Sequence, residues 1–185
     1  MAFPAFLDTC VLYPVALADV LLRIAEHELY RPHWSPDVVA ELERNLAKVV
    51  SADAAGRRVA AMCRAFPEAS VTGYESLIDG MICDPKDRHV LAAATHSGCQ
   101  LIVTANIKDF PQKSLVPHDM TVVTPDDFLL DQLDLYPGAV RSTLIGMCRD
   151  TRRPQLTRST LFASLERAGV PRFVAEARRK VSFVD

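Results

Sequence analysis

Short apolar runs alternate with amphipathic stretches along most of the chain. Residues 3–7 are apolar and stop at Asp8, the pattern of a buried strand with a polar residue at its carboxyl end. Residues 12–27 read as a helix, and 29–34 as a second extended segment. Ser35 followed by Pro36 supplies an N-cap and a first-turn proline. The helix beyond carries Val39, Leu42, Leu46 and Val49 at helical spacing. A further helix spans 54–65, and 69–72 reads as a third strand. Asp84-Pro85-Lys86-Asp87 opens the next helix, with Asp84 as cap, Pro85 at N1 and Asp87 at N3. Val90, Leu91 and Ala94 follow on one face, and Gly98 ends it. The consecutive apolar residues within 100–104 suit a parallel strand covered on both faces. Residues 120–123 form another strand, and Thr124-Pro-Asp-Asp127 resembles a capping box for a helix reaching Leu133.

Strands alternating with helices predict an α/β fold with a mainly parallel sheet. After Pro137 the pattern changes to three helical stretches, 138–149, 158–168 and 171–181, broken at Arg152-Arg153-Pro154 and Gly169-Val170-Pro171. The division expected is a domain over 1–135 and a helical C-terminal extension over 136–185. With 49% apolar residues the chain can build a sizeable core, and 24% charged residues is ordinary for a folded domain. The net charge of −2 conceals a split. Residues 1–140 hold 11 Lys+Arg against 19 Asp+Glu, net −8, and residues 141–185 hold 10 against 4, net +6. An acidic body can gather a metal, and a basic tail can meet a polyanion or an acidic partner. Five scattered cysteines without CxxC spacing read as small buried residues in a reducing compartment. Neither a signal peptide nor a membrane span is legible, so a cytoplasmic protein is expected.

Ligands of an open parallel sheet gather at the carboxyl ends of its strands. Asp8 follows the first strand, Asn106 and Asp109 follow the 100–104 strand, and Asp87 sits in the first turn of the helix preceding that strand. Glu41 can come from its own helix, although Glu43 is equally eligible by spacing. Clustered carboxylates are costly to ionise, and a divalent cation removes that cost. Magnesium or manganese, with their preference for hard oxygens and retained waters, suits such a set. His89 and His96 lie seven residues apart, roughly 10 Å along a helix, too far to share one metal. A zinc site from His33, His89 or His118 is therefore disfavoured.

Four segments resemble the motifs of PIN-domain nucleases, in order over residues 3–130. They are Phe6-Leu7-Asp8-Thr9, the stretch from Ser35 through Glu41-Leu42, the stretch from Asp84 through Asp87 to Ala94, and Leu101 through Asn106 and Asp109 to Phe110. The nearest subgroup resembles the VapC toxins of bacterial toxin–antitoxin pairs, in a branch with a helical C-terminal extension. The resemblance implies a PIN-like, mainly parallel sheet flanked by helices. It implies a magnesium- or manganese-dependent endoribonuclease that leaves a 3′-hydroxyl and a 5′-phosphate. Asp8, Glu41, Asp87 and Asp109 would be the catalytic and metal-binding acids. Many relatives carry Asp where this chain has Asn106, so Asn106 becomes a neutral neighbour of the site, and the metal count stays open. Thr9 and Thr104 would support the carboxylates. The expected partners are single-stranded or looped RNA and a cognate antitoxin protein; a homodimer is left open. Arg152 and Arg153 are the expected RNA contacts.

Three other readings compete. A haloacid-dehalogenase-like phosphatase needs a second Asp two residues after the first, where this chain has Cys10. A non-catalytic RNA- or protein-binding PIN module has no need of all four acids. An RNA-processing nuclease without a toxin role is the alternative that the sequence does not exclude, and an adjacent antitoxin gene would discriminate.

Overall fold

The computed structural model describes residues 2–151 and 155–181. Four strands, β1 (Phe3–Leu7), β2 (Tyr30–His33), β3 (Leu101–Val103) and β4 (Thr121–Val123), pair in parallel in the order β2-β1-β3-β4. The chain runs outward from β1 to β2, then returns to the other side of β1 for β3 and β4. Strand order therefore reverses between β1 and β3, and the crevice beyond their carboxyl ends is where such sheets bind ligands.

Helices cover the sheet: α1 (Thr9–Leu12), α2 (Val15–Glu26), α3 (Pro36–Leu46), α4 (Ala52–Ala65), α5 (Arg88–His96), α6 (Gln112–Leu115) and α7 (Pro125–Leu135). Ala5, Phe6, Leu7, Ile102 and Val103 are fully enclosed, as continuous apolar runs require. Ser35 Oγ accepts from Val38 N at 3.3 Å with Pro36 in the first turn, and Thr124 Oγ1 accepts from Asp127 N at 3.0 Å. Both starts match the sequence pattern. Helix α5 buries five consecutive residues, Val90 to Ala94, and its three alanines let it lie close among its neighbours.

The extension forms α8 (Pro137–Asp150), α9 (Arg158–Arg167) and α10 (Pro171–Lys180). Leu161, Leu165, Phe173 and Val174 are fully buried within the same apolar core as the sheet. Phe128 of α7 meets Tyr30 of β2 edge-on at 5.0 Å between ring centres, tying the last helix of the sheet region to the strand layer.

The structure corrects four local expectations. The helix expected over 12–27 is two helices, because Pro14 takes an extended conformation and cannot donate within a turn. The strand expected over 69–72 is reduced to one parallel bridge, Trp34 with Ser70, before the chain turns at Gly73, whose φ is +83°. Helix α5 begins at Arg88 rather than Pro85, because Asp84 Oδ1 accepts from Lys86 N at 3.1 Å and closes a turn first. Asp87 accordingly occupies the N-cap position, not N3. Val49 lies beyond the end of α3 and is 66% exposed, so it is not a core position.

Candidate metal centre

Asp8 is the first residue past β1. Its Oδ1 accepts from Thr9 N at 2.6 Å and caps α1. Its Oδ2 accepts from Thr104 Oγ1 at 2.6 Å and from the Cys10 thiol at 3.2 Å. Thr104 follows β3, so this hydrogen bond closes the gap between the two strand ends where the order reverses. Burial, followed by the nearby Asp8 charge, pushes the Cys10 thiol up to about 12, so it stays protonated and able to donate.

Thr104 also organises the loop after β3. Asn106 N donates to Thr104 Oγ1 at 3.0 Å, and Asp109 N donates to Asn106 O at 3.0 Å. Asn106 itself is exposed, and its side chain makes no capping bond to the turn that follows. The folded loop returns Asp109 to the segment before α5, where Asp84 N donates to Asp109 O at 3.3 Å. As a result, Asp84, Asp87 and Asp109 each present a carboxylate oxygen within 4.8 Å of the others.

Asp87 is the buried member of this triple, at 8% exposure, and its Oδ2 has no hydrogen-bond partner. Burial raises its carboxyl to about 6, the charges of Asp8 and Asp109 push in the same direction, and Lys86 opposes them. Lys86 Nζ stands 3.4 Å from Asp109 Oδ2 and 4.0 Å from Asp87 Oδ2. The chain thus sets its own exposed ammonium beside the acids.

Glu41 is half-buried on α3, and its Oε2 accepts from Thr9 Oγ1 at 2.9 Å. Thr9 and Thr104 therefore each hold one carboxylate. Glu43, equivalent by spacing, points elsewhere: its Oε1 lies 3.3 Å from where a Cβ on Gly56 of α4 would stand. The structure brings Asp87 and Asp109 together with Asp84; Asp8 is near enough for its charge to act on Asp87 but stands outside that triple, and Glu41 reaches only Thr9, the neighbour of Asp8. Arg152 and Arg153 lie outside the described residues.

Three neighbours escape the sequence reading. Asp84 reads as a cap because Asp-Pro opens both turns and helices. Cys10 reads as a small buried residue, and nothing in the sequence pattern singles out Lys86. All the carboxylate ligands on offer are hard oxygens, and the bare Oδ2 of Asp87 is the atom that a divalent cation would satisfy. Among the described residues no helix is long and apolar enough to cross a membrane, and all five cysteines are unbridged.

Residues 4–108 match the PIN domain, and residues 125–179 match the VapC50 C-terminal domain. A curated relative, "Putative ribonuclease VapC50" of Mycobacterium tuberculosis, is 46% identical over 107 residues. That match covers 58% of this chain and 63% of the relative, short of two thirds of its length. No solved structure matches at a significant level.

Proposed function

This chain belongs to the PIN-domain family, and from that premise we propose that it is a magnesium- or manganese-dependent endoribonuclease, the toxin of a toxin–antitoxin pair. The observation that carries the proposal is Asp87: buried, with a bare carboxylate oxygen, within 4.8 Å of two further acids. Its position beyond the sheet's switch point, near Asp8, adds support.

Asp8, Asp87 and Asp109 would hold the ion, with Glu41 completing the acid set from α3. When bound, the cation supplies a polarised water and neutralises charge on a phosphoryl oxygen. Thr104 fixes the Asp8 carboxylate and Thr9 fixes Glu41, so neither acid must be reoriented when RNA arrives. The P–O3′ bond is cut, water oxygen goes to phosphorus, and the products are a 5′-phosphate and a 3′-hydroxyl. Residues 1–135 would carry the chemistry and 136–185 the basic extension, in a cytoplasmic protein with unbridged cysteines.

Such an activity needs silencing in its own cell. A partner protein that brings Arg or Lys to Asp8 and Asp87 would neutralise them in place of the metal. Lys86, already 3.4 Å from Asp109, is the chain's own instance of an ammonium accepted beside these acids. A co-purified complex with its partner bound far from the acids would contradict this mechanism.

The decisive experiment is RNA cleavage by the purified chain. Asp8→Asn and Asp87→Asn are each expected to lower cleavage by at least ~100-fold with the fold intact, since a ligand and its orienting role go together. Full activity in excess EDTA, or undiminished cleavage by both variants, removes the reading.

A further inference from the structure

The acidic edge opens sideways into a cleft of about 420 Å³ that shares Thr9, Cys10 and Glu41 with the candidate metal centre and extends beyond it. Thr9 and Glu41 form its inner end, and Tyr13, Asn45, Lys48 and Val49 continue it outward. Tyr13 is 36% exposed and Val49 66% exposed, so the cleft offers one aromatic and one aliphatic surface to solvent.

Local construction holds Tyr13 at this place. It is the last residue before Pro14, at the junction of α1 and α2, and its N–H donates to Thr9 O at 2.9 Å. Arg58 of α4 reaches the same junction: one guanidinium nitrogen donates to Tyr13 O at 3.1 Å and another to Leu12 O at 2.7 Å. The backbone carrying the ring is thus pinned from both sides. On the opposite wall, Lys48 Nζ donates to Asn45 Oδ1 at 2.8 Å. That bond orients the amide, leaves its NH2 to meet an acceptor, and keeps an ammonium at the rim.

The occupant is indicated by this chemistry and by continuity with the acids. An aromatic platform, an oriented amide and a cation, opening directly from a phosphodiester-cutting edge, fit a nucleobase and its backbone phosphate. We propose that this cleft receives the nucleoside next to the scissile phosphate of single-stranded RNA, with its base stacked on Tyr13 and its edge facing Asn45. The proposal rests on the nuclease reading above. Tyr13 also lines a second cleft of about 530 Å³, with Val15, Met147, Leu156 and Arg167, between α2 and the C-terminal helices. A strand leaving the acids therefore crosses Tyr13 before it reaches the extension.

The test is a cycle between protein and RNA, run on the full chain with manganese. Wild type, Tyr13→Ala and Tyr13→Phe are assayed on RNAs carrying an abasic site at each position around the cut. At one position flanking the cut, removing the base should raise the wild-type KM about tenfold. The same removal should add almost nothing in Tyr13→Ala, while Tyr13→Phe, which keeps the ring, should behave as wild type. Penalties that multiply at every position, or an unchanged KM in Tyr13→Ala, overturn the proposal. So does an unchanged KM accompanied by weaker capture of a co-purified protein partner, which would give this face to that partner. Absence of any cleavage by wild type fails differently, because it removes the nuclease reading itself.

Discussion

Asp87 links burial to chemistry most directly. Without metal, its folded carboxyl ionises near 6 against an ordinary 3.8. The sign follows from linkage. Below about pH 4 the group is protonated whether folded or unfolded, and its stability contribution is fully present. As pH rises through about 6 the folded state must ionise a buried group, and that contribution is lost. Asp87→Asn removes the loss, so in EDTA at pH 7.5 its Tm should exceed that of wild type by on the order of 5 °C, and the two should converge near pH 4. Added magnesium should raise the wild-type Tm and leave the variant's unchanged. Equal wild-type and variant Tm at both pH values would detach Asp87 from the acidic cluster. Asp84 supplies a second test. Serine can still accept the Lys86 N–H, so Asp84→Ser should stay within about 1 kcal/mol in stability. Losing a carboxylate 4.8 Å or less from two others should weaken manganese binding about tenfold by calorimetry. Unchanged binding would return Asp84 to a purely turn-forming part. The sequence pointed to Asp8, Asp87 and Asp109 through strand ends and motif order. Spacing alone could not separate Glu41 from Glu43; the motif resemblance chose Glu41, and in the structure Thr9 and Gly56 tell the two apart.

Helices and strands show the same limit of local information. Strands β1 and β3 were legible because central parallel strands buried on both faces read as unbroken apolar runs, and β4, a half-buried edge strand, showed only through Val122 and Val123. The break before α2 was not, since a proline in an apolar stretch signals a first turn and a stop equally well. The Ala69 segment failed as a strand for a tertiary reason: it meets the sheet only at Trp34, beside an edge strand whose Pro32 lacks an N–H. Helix α10 shows what no local pattern contains. Its first turn has no cap of its own; instead Asp126 of α7 accepts from Phe173 N at 2.8 Å and from Arg172 N at 3.2 Å. A buried carboxylate 46 residues earlier thus performs the work of an N-cap. Asp126→Ala leaves one buried and one part-buried N–H group unpaired and should cost roughly 1–3 kcal/mol, seen as a lower urea midpoint with unchanged slope. A changed slope would mean that α10 detaches before the rest unfolds.

Across the whole molecule, the charge division of the sequence becomes a contact. The acidic helix α7 receives the basic tail: Arg172 Nη1 lies 2.6 Å from Asp127 Oδ1, and Lys180 Nζ lies 2.6 Å from Asp134 Oδ1. Within the tail, Arg178 pairs with Glu166 and Arg179 with Glu176. Cations already paired in cis are poor phosphate ligands, because each pair must be broken before RNA is gained. Arg152 and Arg153 stand outside the described residues, in the link between the end of α8 at Asp150 and the start of α9 at Arg158. Thr151 and Leu156, on either side of them, line the cleft that Tyr13 shares with the extension. By their charge in the sequence alone, the two arginines remain the expected contacts for backbone phosphates. Single-strand contacts release about 0.7 counterion each, so removing both should flatten the log–log salt slope of RNA binding by about 1.4. Arg152→Ala with Arg153→Ala is therefore expected to weaken RNA binding most at low salt, with manganese binding unchanged. Arg172→Ala with Arg178→Ala is the matched control: the same charge is lost, but from paired sites, and the slope should hold. Equal flattening by both pairs would assign the effect to net charge rather than to contact. An unchanged slope in the Arg152/Arg153 variant, with weaker hold on a protein partner, would assign this link to the partner instead.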